Sequence, residues 1–396
     1  MSASTISYRS FSCPQAGGEN WRSAIAPFHA IASVDMLLDR ERQTIASRSE
    51  GLMELLHAWT ESKPDFETVW DISFGRTLRA LESTDIDAVD VLTEVGLRLA
   101  ATGTPAEWSS TLQERRRLSF DGRYLLPLAS QISVKSDGTA IAIEVTSPGG
   151  DVSRTNFRRD NAKWLAEGAE EMPQIGKRHA ITLWSPKAVP RDMIFEDDFH
   201  SIFGFPEDVS ALVPAFSAAL EILETHSREY FEWIGQVLRG ILICSCQESR
   251  TRSSSWMHAP GIVLVSSSPN PIELAEMLVH ECSHQHFYLL SRLGPVADDS
   301  DKRHYFSPAV KRDRPLSKII IGYHAFANIV LFYRSLLENG WGGDEYCRAT
   351  EARLTGELHT FEDAIRDNPA LTDLGRDLCE PLFEQVRATQ AGRANA

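Results

Sequence analysis

The sequence predicts an α+β protein, mostly α-helical. It has a helical N-terminal part, a small β-sheet in the middle and a helical C-terminal part that carries His280-Glu281-Cys282-Ser283-His284. Three observations predict it. Apolar residues recur at helical spacing through residues 19–100. Short apolar runs separated by turn residues fill residues 120–184. Helical periodicity returns from Val209 onward. On this pattern the chain divides into a helical region 1–118, a β-rich region 119–207 and a helical region 208–396.

The elements follow in order. Trp21, Ile25, Phe28, Ile31, Val34, Leu37 and Leu38 give a first helix its apolar face, and a second runs near Leu52 to Trp59. Asp65 to Leu81 and Ile86 to Ala100 continue the pattern. Glu114-Arg115-Arg116-Arg117 reads as a solvated turn before the first strand. Strands are predicted at Tyr124–Leu128, Gln131–Val134, Ala140–Val145 and His179–Trp184, with turns at Ser136-Asp-Gly and Pro148-Gly-Gly. Asp192 to Phe205 reads as an acidic, aromatic loop, and Val209 to Leu238 as one long amphipathic helix or two. Ile241–Cys244 and Ile262–Val265 should pair beside the helix that follows them. Leu293 to Pro315 is polar and reads as a lid or binding loop. Pro315 then opens a helix that is apolar nearly all round, hence buried, and ends at Asn339-Gly340. A last helical pair spans about Tyr346 to Gln390.

Composition narrows the function classes. A net charge of −15 disfavours nucleic-acid binding, and no basic stripe dominates any region. The six cysteines have no zinc-ribbon spacing; they suit a reducing compartment, and Cys244-Ser-Cys246 reads as buried thiols. The first residues lack a charged n-region followed by an apolar core. The longest apolar stretch, Ile319 to Tyr333, is too short for a membrane span. The expectation is a cytoplasmic protein with no membrane and no nucleic-acid partner, its oligomeric state left open.

The motif carries the chemistry. Residues four apart share a helix face, so His280 and His284 can point two imidazoles at one metal ion, with Glu281 beside it. Asn270 can cap the helix, Pro271 suits its first position and Glu273 falls at the capping-box position. A third protein ligand is expected, and His324, His304 and Glu338 are the candidates. His286 faces away by a quarter turn or more and falls outside the ligand set. Arg312 and Arg314 precede the His324 helix, where a guanidinium could clamp the far carboxylate of a metal-chelating dicarboxylate.

Taken together, Leu278-Val-His-Glu-Cys-Ser-His284, Tyr305-Phe-Ser-Pro308, Arg312-Asp-Arg-Pro-Leu316 and Gly322-Tyr-His-Ala-Phe326 resemble the HExxH-motif proteins found with ribosomally made, modified peptides. The resemblance covers roughly residues 255–335. It implies an enzyme that hydroxylates a side-chain β-carbon in a precursor peptide, using iron(II), oxygen and 2-oxoglutarate. It also implies His280, His284 and His324 as metal-binding positions and Arg314 as the 2-oxoglutarate clamp, with Arg312 in reserve. Cys282-Ser283 and Tyr323 depart from the pattern without touching those positions. In an oxygenase Glu281 tunes the metal. The alternative class is a zinc metallopeptidase, in which Glu281 is the general base for a zinc-bound water. A third, non-enzymatic class is a degenerate peptide-binding protein. The intact His280, Glu281 and His284 argue against it.

Overall fold

The computed structural model describes residues 7–17, 19–161, 163–190, 203–206, 208–246, 252–341 and 344–394. The first helices are α1 (Arg22–Arg40), α2 (Arg42–Arg48), α3 (Leu52–Thr60), α4 (Phe66–Val69), α5 (Ile72–Glu82) and α6 (Ala88–Ala101). Three of them start on an aspartate whose carboxylate accepts a backbone N–H. Asp65 accepts from Thr68, Asp71 from Ser73 and Asp87 from Asp90. Val34, Leu37 and Leu38 of α1 are in the core, but Phe28, predicted on the same face, is 69% exposed. It lies about 120° around the helix from Val34, too far to share one buried stripe.

The β-structure is larger than the small sheet that the sequence predicts, because there are two main sheets. The first has seven strands: β1 (Ser49–Glu50), β2 (Ala106–Phe120), β3 (Tyr124–Ser136), β4 (Ala140–Thr146), β5 (Val152–Asp160), β6 (Lys163–Ala166) and β7 (Glu170–Glu171). Its order is β1-β2-β3-β4-β5-β6, with β7 on β3, and every pair is antiparallel. The region boundary predicted at 118/119 falls inside β2. Glu114–Arg117, which reads as a solvated turn, lies inside β2 as well. Arg116 is buried and pairs with Glu94 at 2.9 Å, and Arg117 pairs with Glu170 at 2.7 Å. A register shift between Thr111 and Arg116 breaks the alternation that would have marked the strand.

The second sheet supports the motif helix. It comprises β8 (Gln174–Ile175), β9 (Ile181–Trp184), β10 (Phe203–Gly204), β11 (Gly240–Cys246), β12 (Ser253–Ser255) and β13 (Ile262–Ser266). The order is β12-β13-β11-β9-β8, with β10 on β11. As predicted, the two apolar runs pair, in parallel, Ile241 against Val263 and Ile243 against Val265. β9 is parallel to β11 on its other side, while β12 is an antiparallel edge strand on β13. Most of the predicted loop from Asp192 to Phe205 lies outside the described residues. The segment after it forms two helices, α7 (Val213–His226) and α8 (Arg228–Gly235), broken at Ser227.

The motif lies on α9 (Pro271–Ser291). Next comes a hairpin, β14 (His304–Ser307) and β15 (Arg312–Pro315), where the sequence suggests only a polar loop. Three helices complete the chain: α10 (Leu316–Glu338), α11 (Asp344–Ile365) and α12 (Asp373–Ala394). α10 packs against α9, α11 and α12. It is long and apolar enough to cross a membrane, yet 72% of its apolar window is buried within the fold. The N-terminal segment threads against these helices: the Ser12 hydroxyl donates to the Leu378 carbonyl at 2.6 Å. Helix accounts for 49% and strand for 23%, so the chain is mixed α and β with helix dominant.

Candidate metal centre

α9 begins as its sequence dictates. The Asn270 side chain accepts from the Ile272 N–H at 3.1 Å, and Pro271 takes the first helical position. Glu273 does not close a simple capping box. Ser268 stands between: its hydroxyl donates to Glu273 at 2.7 Å and accepts from the Asn270 N–H at 3.1 Å. Gln285 then locks the helix to the sheet, accepting from the Gly261 N–H and donating to the Ala259 and Ile262 carbonyls. The helix face that carries His280 and His284 is therefore rigidly held.

On that face the two Nε2 atoms lie 3.1 Å apart. Metal–imidazole bonds of about 2.0–2.1 Å to two such atoms would subtend about 95–100° at the ion, between octahedral and tetrahedral values. The separation fits two ligands of one metal and is also that of a direct imidazole–imidazole hydrogen bond. Phe326 flanks His280 edge-on at 6.0 Å, and Tyr288 flanks His284 at 6.2 Å. Burial lowers the His284 pKa well below the usual value, helped by His280, His324 and Lys318. Its imidazole thus stays neutral, the form that binds metals. Its Nδ1 is buried with no hydrogen-bond partner.

Glu281 is 1% exposed, with Oε1 3.9 Å from His280 Nε2. Burial raises its pKa against the opposing pull of His280 and of the Ser253 and Ser255 hydroxyls on β12. Its Oε2 has no hydrogen-bond partner.

His324 is fully buried on α10. Its Nε2 lies 3.0 Å from the Phe11 carbonyl oxygen and 2.8 Å from that of Ser12. Both partners are acceptors, so the hydrogen-bond network assigns the proton to Nε2 and leaves a lone pair on Nδ1. That Nδ1 is buried and has no partner. Burial lowers the His324 pKa to about 4. The ring as placed does not complete a ligand set: among the described residues no group of three or more His, Cys, Asp or Glu could hold a metal ion.

The other candidates separate clearly. His304 is exposed on β14, opposite Pro315, and Glu338 is exposed at the end of α10. His286 is spent on packing. It donates to the Trp233 carbonyl at 3.1 Å, accepts from Arg22 Nε at 3.3 Å and stacks on Trp233. Arg312 and Arg314 pair across the hairpin with Ser307 and Tyr305, so the pleat puts all four on one face. Arg314 is half-buried and Arg312 exposed, and neither side chain has a hydrogen bond or ion pair among the described residues.

Sequence reasoning did not place four residues beside the site. Glu276, one turn before His280, accepts from the Tyr333 hydroxyl at 2.5 Å; its spacing alone would have placed it on the histidine face. Lys318 acts electrostatically on His284, and Ser253 and Ser255 act on Glu281. Those two contacts join separate elements and left no local signal. No family model matches the chain, and no curated protein matches it in sequence.

Proposed function

We propose that the chain is an iron(II)- and 2-oxoglutarate-dependent dioxygenase that hydroxylates a side-chain β-carbon in a ribosomally synthesised precursor peptide. The observation that carries the metal part is the pair of Nε2 atoms 3.1 Å apart on a braced helix. Two further features support it. The His324 ring donates through Nε2 to backbone carbonyls, an arrangement that would orient a ligating imidazole, while its Nδ1 side lies under the influence of the Ser283 backbone on the motif helix. In this reading His324 would be the third donor, through Nδ1, although the ring does not complete a ligand set with His280 and His284 among the described residues. Arg314 is a half-buried guanidinium with no carboxylate of its own, available to a dicarboxylate. The resemblance read from residues 255–335 supplies the reaction class.

When bound, iron(II) with oxygen and 2-oxoglutarate supplies the oxidation: the keto acid leaves as succinate and carbon dioxide, and one oxygen atom enters the peptide C–H bond. The chain's own residues do the rest. His280 and His284 would hold the metal through their Nε2 atoms, which lie 3.1 Å apart. Arg314 grips the distal carboxylate, which fixes the keto acid's orientation. Phe326 and Tyr288 flank the histidines with aromatic rings. Glu281 needs no proton in this chemistry and acts by its charge beside His280.

One observation favours a second reading, a zinc metallopeptidase. Glu281 has a burial-raised pKa, as a general base at neutral pH needs. Glu281→Gln separates the two: it abolishes a peptidase and leaves an oxygenase with measurable turnover. Succinate formed by the variant supports the dioxygenase, and loss of peptide cleavage with no succinate from either protein supports the peptidase.

A further inference from the structure

We propose that the exposed cations of the β14–β15 hairpin, Lys311 and Arg312, together with Lys318 at the start of α10, dock an acidic segment of the peptide substrate. This rests on the peptide-hydroxylase reading and names the substrate's chemistry. From Asp301 to Lys318 the chain carries six lysines and arginines against two aspartates, within a protein of net charge −15. One of those aspartates, Asp301, is already taken by Arg303 and Tyr305. The side chains of Lys311, Arg312, Arg314 and Lys318 have no hydrogen bond or ion pair among the described residues.

The cations lie close together along the chain. Lys318 is in the first turn of α10, four residues after Arg314, and Arg314 and Arg312 share the hairpin face that carries Tyr305. Exposure divides the labour. Half-buried Arg314 serves the dicarboxylate co-substrate, while exposed Lys311, Arg312 and Lys318 face the peptide. The surrounding negative charge repels an acidic peptide from the remaining surface and focuses it on these cations.

The test uses the full-length, metal-free protein and fluorescence anisotropy. The probes are a short labelled peptide with aspartate at alternate positions, its counterpart with asparagine, and a labelled oligouridylate. The aspartate peptide should bind about tenfold or more tighter than the asparagine peptide at low salt, with the difference shrinking as salt rises. Lys311→Glu with Arg312→Glu should remove that preference, whereas Lys163→Glu on the distant sheet should leave it intact. Arg312→Gln, which cannot misfold a solvent-facing position by charge repulsion, should halve the preference or more. Equal binding of the two peptides, a double variant that retains the preference, or tighter binding of the oligouridylate would each overturn the proposal. Because affinity is read without metal, failure here is distinct from failure to detect a hydroxylated product.

Discussion

Replacing His324 separates a metal ligand from a packing histidine. His324→Ala removes a fully buried ring and the donor to two carbonyls. Asn328 still donates to the Ser12 carbonyl at 2.9 Å, so the Phe11 carbonyl is the one that loses its side-chain donor. An orphaned buried acceptor costs about 1–3 kcal/mol. With the cavity added, the metal-free protein should lose about 2–5 kcal/mol. His324→Gln keeps an N–H donor and should lose less. Metal added at a hundred times its dissociation constant stabilises the native protein by about 2.7 kcal/mol. Both variants should forfeit most of that gain, read by urea unfolding under anaerobic iron(II) and again with zinc(II). If both variants keep the full metal-dependent gain, His324 is a strap for the N-terminal segment and the third donor lies elsewhere.

Other outcomes follow from the same geometry. His280→Ala and His284→Ala should each abolish metal binding with helical content nearly intact, while His304→Ala keeps its metal; full occupancy in the His280/His284 double variant by elemental analysis removes the site. Arg314→Ala should raise the 2-oxoglutarate requirement by one to several orders of magnitude with iron still bound, since a charge pair closed over by the bound co-substrate costs about 2–5 kcal/mol to break; an unchanged requirement moves the role to Arg312 or Lys318. Acid should destabilise the metal-free protein in a defined window. His324 has its folded pKa lowered to about 4, so below the ordinary value of about 6.5 the unfolded chain takes up a proton that the folded chain refuses. Stability therefore falls as pH drops from about 6.5 to about 4, by up to about 3 kcal/mol from this group, and His284 and His286 add in the same direction. A urea midpoint that rises on acidification through this window contradicts the assignment of neutral buried imidazoles.

The motif helix was legible because several local signals agree: Asn270 and Pro271 at its start, apolar periodicity along it, and a strand just before it. The parallel pairing of β11 with β13 was legible for a similar reason, since both are short, wholly apolar runs. β2 was not, because its charged middle and register shift hide a period of two. Nor could sequence foresee that His324 would donate to Phe11 and Ser12, over 300 residues away in the chain. Local pattern marks which residues are suited to a site. Only the packed fold says which nitrogen of each ring is engaged and which is left bare.

Mass spectrometry of candidate precursor peptides incubated with the protein, each component withheld in turn, decides between the dioxygenase and the peptidase. An uncut peptide one oxygen atom heavier, together with succinate, is expected only when iron(II), oxygen and 2-oxoglutarate are all present. Zinc should suppress the product by competing for His280 and His284. Cleavage fragments that appear with zinc and without 2-oxoglutarate would contradict the account and establish the peptidase instead.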